Sequence, residues 1–309
     1  MLHYDFKRGK LVCTDQEMFS YLKQIYRHQR YLAKASNEAL FARLDGLVIN
    51  LMELRFNGEM ELNIKNGKEA LSLIDLFEEF NLRGIEYTSL LESSLRRFDG
   101  HAQYMNASGI EDQLRVCAGK QCLFKFTKRK HLDSLKRGEV RFKLASAYND
   151  AGFNIAIRDD ELNVEHQLLN SRIVLEDGLE VPINDDLIRR SAFGDYYVAC
   201  FSAAIDPKLF LMFDADVCFI IRNGEEFSKE VIKNYRAQYE HEKILFGGVG
   251  YIDPYREIKS EKPIEFLKIF DFSYESEFRF VAFDEVGNKE KVRKISIDIN
   301  KIDYDIVIM

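Results

Sequence analysis

Long apolar runs are missing from this chain of 309 residues. None approaches the roughly 20 consecutive apolar residues that a helix needs to cross a bilayer. The opening residues, MLHYDFKRGK, also lack the apolar core of a secretory signal peptide. We therefore expect a cytoplasmic protein with no membrane partner.

Paired cysteines are missing as well. The five cysteines include no C-x-x-C pair, and an odd number suits reduced, buried thiols better than disulfides. None of the six histidines stands at ligand spacing from a cysteine, or from an acid at i, i+4. We expect neither disulfides nor a structural zinc site, and no metal in the functional site.

The charge balance and the motif content exclude further classes. A formal net charge of -7 argues against holding duplex nucleic acid by non-specific phosphate contacts, although a local basic patch is compatible with it. The chain has no G-x-G-x-x-G after a strand, no P-loop, no H-E-x-x-H and no G-x-S-x-G. The commonest nucleotide-binding, metalloprotease and hydrolase signatures are thus absent.

The pattern of apolar residues changes near residue 118. Before it, apolar residues recur at helical spacing in the windows 14–35, 36–54, 68–82 and 87–98. After it, short β-rich runs alternate with turns and a few helical windows. The pattern predicts a mostly helical recognition or regulatory domain over 1–118, and an α+β catalytic domain with bent, mainly antiparallel sheets over 119–309.

The segment FDFSYESEFRFVAF, residues 270–283, alternates with the period of a half-buried strand. Its aromatic positions share one face, and Asp271, Glu275, Glu277 and Arg279 share the other. Two interpretations fit this pattern. The polar face is either a solvated ladder of ion pairs or a functional site.

Other polar residues interrupt apolar strands in the same half. Lys125 lies between two phenylalanines, and Ser202 ends the apolar run YYVACFS. Tyr148 and Asn149 follow a predicted strand. A turn at Asn149 and a backbone-capping hydroxyl at Ser202 are the simpler interpretations of these residues.

Taken together, three blocks resemble the bacterial domain-of-unknown-function family 2971. The first is LFKFTKRKHLDSLKRGEVRFKLASAYND, with an aromatic-Lys-aromatic start and a closing Asn-Asp. VACFSAAIDPKLFLMFDADVCFII is similar to the second block, and YESEFRFV resembles the third, Glu-x-Glu-aromatic-Arg. The blocks occur in the family's order over roughly residues 123–283.

The same order resembles the ADP-ribosyltransferase fold in its Arg-Ser-Glu form, which implies NAD as the substrate. By this resemblance Lys125 or Arg129 holds a phosphate or ribose of NAD, and Ser202 shapes the nicotinamide pocket. Glu277 supplies the catalytic acid, and Glu275 faces the acceptor. Further NAD contacts are expected at these positions: Phe126, Thr127, Arg141, Tyr148 and Asn149.

The segment FGGVGYIDPYREIK, residues 246–259, lies where that fold carries its acceptor-recognition loop. We expect Tyr251 and Tyr255 to contact substrate, with Arg279 pairing with an acid or holding a phosphate. Bacterial proteins of this build often act as toxins or phage-defence effectors, and the resemblance implies that role. The acceptor stays open between a protein side chain, a nucleic acid base and water, and a regulatory partner is expected on the N-terminal helices.

Elementary chemistry supports the assignment to Glu277. Cleavage of the nicotinamide–ribose bond builds positive charge on the sugar, and an ionised carboxylate beside it stabilises the transition state more than the ground state. On one strand, Glu275 and Glu277 would lie about 6–7 Å apart, far enough for both to ionise.

Two alternatives remain at this stage. One is a nuclease or phosphodiesterase with Mg²⁺ held by Asp150, Glu275 and Glu277. The other is a binding protein without catalysis, whose pocket is formed by Phe124, Phe126 and Tyr148.

Overall fold

The computed structural model describes thirteen ranges of the chain: 2–5, 10–13, 16–54, 60–62, 67–96, 117, 121–150, 160–167, 172–174, 179–182, 187–256, 262–283 and 290–308. Within them the fold is mixed α+β with a mainly antiparallel sheet, as predicted. No helix in these ranges combines the length and the hydropathy that a membrane span requires.

Helices dominate the first part of the chain and are sparse in the second. They are α1 (Gln16–Gln29), α2 (Asn37–Leu51), α3 (Gly67–Arg83), α4 (Thr88–Arg96), α5 (Leu132–Lys136), α6 (Lys208–Met212) and α7 (Gly224–Gln238). The first four confirm the predicted helical windows. The side chain of Ser36 caps α2 by accepting from the backbone N–H of Ala39, which is why that helix begins where it does.

The strands are β1 (Leu2–Asp5), β2 (Lys10–Cys13), β3 (Met52–Leu54), β4 (Met60–Leu62), β5 (Leu123–Thr127), β6 (Glu139–Leu144), β7 (Asn163–Gln167), β8 (Arg172–Val174), β9 (Glu180–Pro182), β10 (Leu187–Ser191), β11 (Tyr196–Ser202), β12 (Val217–Ile221), β13 (Lys243–Gly248), β14 (Gly250–Ile252), β15 (Leu267–Ile269), β16 (Glu277–Phe283), β17 (Val292–Ser296) and β18 (Tyr304–Ile308). The main sheet runs in the order β13-β16-β11-β5-β12-β18, and β6 joins it by pairing with β11 and β17. The parallel pair β14–β15 lies outside it.

The register of three neighbouring strands fixes where polar residues meet. In the antiparallel pair β11–β16, Ser202 lies opposite Glu277 and Cys200 lies opposite Arg279. On its other side, Ser202 lies opposite Phe124 of β5. The end of β11 therefore brings residues far apart in the sequence to one place.

Both faces of the main sheet are covered. On one face, α7 contributes Phe227 and Val231 to a core with Tyr197 and Phe280. On the other, the core of the helical half continues without a break into sheet residues, which are Phe124, Phe126, Cys218, Ile220 and Val307. The boundary proposed near residue 118 thus separates two halves that share one hydrophobic core.

Helix α2 packs on the segment before β16, where the sequence pattern predicted a strand from residue 270. That prediction is wrong for its first half, because Phe270–Glu275 forms a 3₁₀ turn and β16 begins only at Glu277. Asn50 of α2 donates its amide to the carbonyl of Phe270 at 2.9 Å and accepts from the N–H of Tyr274 at 2.9 Å. These bonds satisfy the turn's backbone, and Phe270 and Tyr274 enter the core of the helical half four residues apart.

The glycine-rich segment that was predicted to form a substrate loop is instead largely made of strands. Residues 246–248 belong to β13 and pair with β16, and residues 250–252 form β14. Just beyond, Asp253 accepts two bonds from Arg43 of α2, at 2.9 and 2.7 Å, and both side chains are buried. A buried pair of this kind fixes the segment to the helical half, since neither charge is stable there alone.

The contact between α2 and the turn gives a prediction for Gly46→Ala. A Cβ at Gly46 would stand 2.7 Å from Cβ of Asp271. Alanine gains about 1 kcal/mol in a helix interior, but overpacking costs about 1–3 kcal/mol. The two terms leave a net loss of about 0–2 kcal/mol in the free energy of unfolding, and the 2.7 Å approach places the expected loss toward the upper end of that range. Urea titration measures it.

The control is Gly194→Ala, whose added Cβ meets nothing within 4 Å. It is expected to leave the free energy of unfolding within about 0.5 kcal/mol of wild type. A Gly46→Ala protein as stable as Gly194→Ala would contradict a tight contact between α2 and the turn.

Candidate functional site

A cleft of about 280 Å³ opens where β5, β11 and β16 come together. Its walls combine aromatic rings with a few ammonium groups and carboxylates, a mixture that is typical of small-molecule pockets. The lining residues are Phe124, Lys125, Phe126, Thr127, Lys128, His131, Tyr148, Glu161, Cys200, Phe201, Ser202, Phe213, Lys268, Glu275 and Glu277.

The cleft gathers most of the residues predicted from the sequence. Those that line it are Lys125, Phe126, Thr127, Tyr148, Ser202, Glu275 and Glu277. Those that do not are Arg129, Arg141, Asn149, Tyr251, Tyr255 and Arg279. Both sets were predicted from the same resemblance, but only the first set lies at the cleft.

Glu277 is held by a guanidinium on its own strand. Arg279 donates Nε to Oε1 of Glu277 at 2.9 Å and Nη2 to Oε2 at 3.0 Å, a two-point contact between residues two apart on one face of β16. Burial alone would raise the pKa of Glu277, but the charges of Arg279 and Lys268 outweigh it and lower the pKa to about 2. Glu277 is therefore ionised at every physiological pH.

The remaining donors of Arg279 are also engaged. Glu161 binds it with both carboxylate oxygens, at 2.9 Å from Nη2 and 2.7 Å from Nη1, and the carbonyl of Glu265 accepts from Nη1 at 3.0 Å. The Arg279 side chain has no exposed surface. This enclosure excludes the solvated ladder, and it assigns Arg279 to pairing with acids and not to holding a substrate phosphate.

Lys268 connects the two carboxylates of the cleft. Its ammonium lies 2.8 Å from Oε2 of Glu275 and 3.5 Å from Oε2 of Glu277. The sequence predicted that the two acids follow each other on one face of a single strand. That prediction is wrong, because Ser276 between them has a left-handed backbone with φ of 44°. A cation therefore joins the two acids across the bend.

Ser202 acts on the backbone of the same bend. Its Oγ is 2.6 Å from the carbonyl oxygen of Glu275 and 2.6 Å from that of Ala204. It is therefore a structural hydroxyl that holds the end of β11 to the turn carrying Glu275. This is the simpler of the two interpretations that the sequence allowed, and it still lets Ser202 form part of the cleft wall.

Lys125 lies in the wall of the cleft with its ammonium directed to backbone. It donates to the carbonyl of Cys200 at 2.6 Å and lies 5.4 Å from the ring centre of Phe201. Burial lowers its pKa, and the nearby Glu277 opposes the shift. Burial also raises the pKa values of Cys200 and Tyr148, so both keep their protons near neutral pH.

Tyr251 lies outside the cleft, behind it. Its hydroxyl accepts from the backbone N–H of Glu277 at 2.7 Å, so it supports the strand that carries the acid. Tyr255 stands against Arg43 of the helical half, 5.1 Å from the guanidinium to the ring centre. Arg141 donates to Ser134 on the surface at 3.0 Å, and Asn149 is exposed.

Sequence reasoning missed Glu161 and Lys268. Lys268 carried a usable signal, since a lysine between Leu267 and Ile269 interrupts an apolar run just as Lys125 does. Glu161, in an acidic stretch before β7, carried none. Its role depends on the long-range approach of that stretch to Arg279.

Within the described ranges, no three His, Cys, Asp or Glu side chains are grouped as metal ligands would be. Asp150, one of the residues weighed for a magnesium site, is exposed and does not line the cleft. Comparison with known proteins gives no guide to the chemistry, because no protein-family model, curated protein or solved structure matches this chain. The resemblance drawn from the three sequence blocks therefore stays a hypothesis.

The low pKa of Glu277 predicts how stability depends on pH. Its folded value of about 2 lies below the ordinary value of 4.5. The stabilisation is thus complete above the unfolded pKa and is lost as the pH falls from about 4.5 toward about 2. In urea titrations between about pH 5 and about pH 3, Glu277→Gln should lose less stability on acidification than wild type.

The control for removal of a carboxylate as such is Glu226→Gln on the exposed surface of α7, measured at the same pH values. Equal slopes for Glu277→Gln and wild type would show that the carboxylate of Glu277 is not held in its ionised form by Arg279 and Lys268.

Proposed function

We propose that this chain is an NAD-consuming enzyme resembling ADP-ribosyltransferases, which cleaves the nicotinamide–ribose bond and transfers ADP-ribose to a macromolecule or to water. One observation supports it most. Neighbouring strands β5, β11 and β16 bring Lys125, Ser202 and Glu277 to a single cleft, in the order that the ADP-ribosyltransferase resemblance requires.

The ionisation of Glu277 suits this chemistry. The bond breaks with its electron pair leaving on nicotinamide, so positive charge develops on the ribose. A carboxylate with a pKa of about 2 is a poor proton donor but a permanent negative charge. Because Arg279 and Lys268 fix its position, no reorganisation is needed when the charge develops.

The shape of the cleft suits part of the dinucleotide. About 280 Å³ is near the lower end of the roughly 300–1,000 Å³ found for small-molecule pockets. We assign it to the nicotinamide ribose, with the rings of Phe126, Tyr148 and Phe213 as the surfaces for the base. We assign Lys128 and His131, which also line the cleft, to the pyrophosphate.

Glu275 completes the reaction on the acceptor side. Lys268 lies between it and Glu277, in contact with both, and we assign the two acids to different partners. The acceptor loses a proton, its heavy atom bonds to C1′ of the ribose, and nicotinamide leaves, so that NAD and acceptor give ADP-ribosyl acceptor, nicotinamide and a proton. We assign the removal of that proton to Glu275. A role as a bacterial toxin or phage-defence effector follows by analogy with proteins of this build.

Nicotinamide release from NAD by the purified protein tests this function. Wild type should release nicotinamide in the presence of EDTA, with bacterial lysate supplying acceptors. Glu277→Gln should reduce the rate by about 10²–10³-fold, the usual cost of removing one fixed stabilising group. The exposed Glu226→Gln should retain the wild-type rate.

Nicotinamide release that EDTA abolishes would contradict the metal-independent cleavage proposed here. Conversion of NAD to nicotinamide mononucleotide and AMP that EDTA abolishes would favour a metal-dependent phosphodiesterase. No release by a folded wild-type protein under any of these conditions would favour a binding protein. Equal rates for the Glu277 and Glu226 variants would remove Glu277 from the chemistry.

A further inference from the structure

Positive charge is concentrated at one edge of the cleft, in a chain whose net charge is -7. Residues 125–143 contain eight Lys or Arg and only two Asp or Glu. This stretch forms β5, α5 and β6, and its first residues line the cleft. Such a local excess is unexpected in an acidic protein and marks a surface for an anionic partner.

The charges lie close together in space as well as in sequence. Arg137 and Arg141 both reach the hydroxyl of Ser134, at 3.5 and 3.0 Å. Burial lowers the pKa of His131, and the nearby charges of Arg141 and Lys130 lower it further. We call the set Arg129, Lys130, Arg137 and Arg141 the basic lip.

Carboxylates lie beside the basic lip and beside Lys128, where the lip meets the cleft. Asp214 pairs with Lys128 at 2.6 Å. Glu139 lies 3.6 Å from Arg137 and 3.7 Å from Arg141, and also pairs with Lys294 at 3.2 Å. The basic side chains of these pairs are exposed, although Glu139 is only 17% exposed. Ion pairs at the surface contribute little, about 0–1 kcal/mol each, so a phosphate can replace the carboxylate as partner at small cost.

We propose that the basic lip binds the phosphate backbone of a single-stranded nucleic acid and presents one base at the mouth of the cleft. The identity of the acceptor rests on the proposed function, since it makes that base the acceptor of ADP-ribose; the binding itself does not. Arginine and lysine side chains meet phosphate oxygens through charge-assisted hydrogen bonds. The lip joins the cleft through Lys128 and His131, which belong to its wall.

A single strand fits this geometry better than a duplex. A base can reach a narrow cleft only when it is free of its stack, and a single strand needs no energy for unpairing. The acidic remainder of the chain opposes long duplex contacts, which limits binding to a few phosphates.

Fluorescence anisotropy with labelled single-stranded RNA and DNA of roughly 12 nucleotides tests the proposal. The lip variant is Lys130→Glu with Arg137→Glu, both on the exposed surface. The control is Lys229→Glu with Lys233→Glu on α7, whose side chains are 65% and 69% exposed. The two double variants change the net charge equally and differ only in place.

Wild type and the α7 variant should bind one of the oligonucleotides, with an affinity that falls as the salt concentration rises. The lip variant should bind at least about tenfold more weakly, and its salt slope should be smaller by about 1.4 because two phosphate contacts are lost. No salt-dependent binding by wild type, or equal weakening in both double variants, would overturn the proposal.

The assay separates this inference from the proposed function. Binding without nicotinamide release would retain the nucleic acid surface and remove the transfer reaction. Nicotinamide release without binding would retain NAD cleavage and overturn the basic lip as an acceptor site. Circular dichroism of both variants confirms that any lost binding is not lost folding.

Discussion

The fully enclosed guanidinium of Arg279 is the interaction on which the site depends. A charge without exposed surface is stable only when its desolvation is balanced by partners of opposite charge with good geometry. Arg279 has two such partners, Glu277 and Glu161, together with the carbonyl of Glu265. The same contacts that make the guanidinium tolerable in the interior fix Glu277 at the wall of the cleft in its ionised form. Stability and the proposed chemistry therefore have one physical origin.

The helical half also helps to fix the positions of the two acids of the cleft. Asn50 binds the backbone of the turn that carries Glu275, and Arg43 pairs with Asp253 just beyond the strand that carries Tyr251. Tyr251 in turn accepts from the backbone of Glu277. Helix α2 thus contacts two segments that reach the acids of the cleft. Since buried contacts transmit displacement, a partner that moves α2 would also move the carboxylates.

The sequence allowed the strands around the cleft to be predicted because they follow simple patterns. Runs of β-branched and aromatic residues around Lys125 and Ser202 indicated β5 and β11, and both form as predicted. The alternation of apolar and polar residues wrongly predicted a strand between residues 270 and 276. There, tertiary contacts with Asn50 and with the core of the helical half produce a turn. The two-residue period of apolar side chains carries no information about such contacts, so it did not reveal the bend that precedes β16.

The partners of the acids could not be predicted for a related reason. Arg279 was visible as a possible partner for Glu277, being two residues away on one face of a strand. Glu161 lies more than a hundred residues earlier, and Lys268 precedes the bend. Which distant charges meet is decided by sheet order and burial, and neither can be read from local spacing. The two interpretations of this face, solvated ladder or site, were therefore distinguished only by the enclosure of Arg279.

The most direct test of the account is the ionisation of Glu277 itself. Carbonyl-region NMR of protein labelled with ¹³C at glutamate side-chain carboxyls follows each acid with pH, and the Glu277→Gln variant identifies its signal. If Arg279 and Lys268 hold Glu277 as an anion, this carboxylate stays ionised down to the acid limit of folding, in keeping with a pKa of about 2. A titration midpoint at or above the ordinary value of 4.5 would contradict it. Glu277 would then not be a permanent anion, and the electrostatic argument for NAD cleavage would fail.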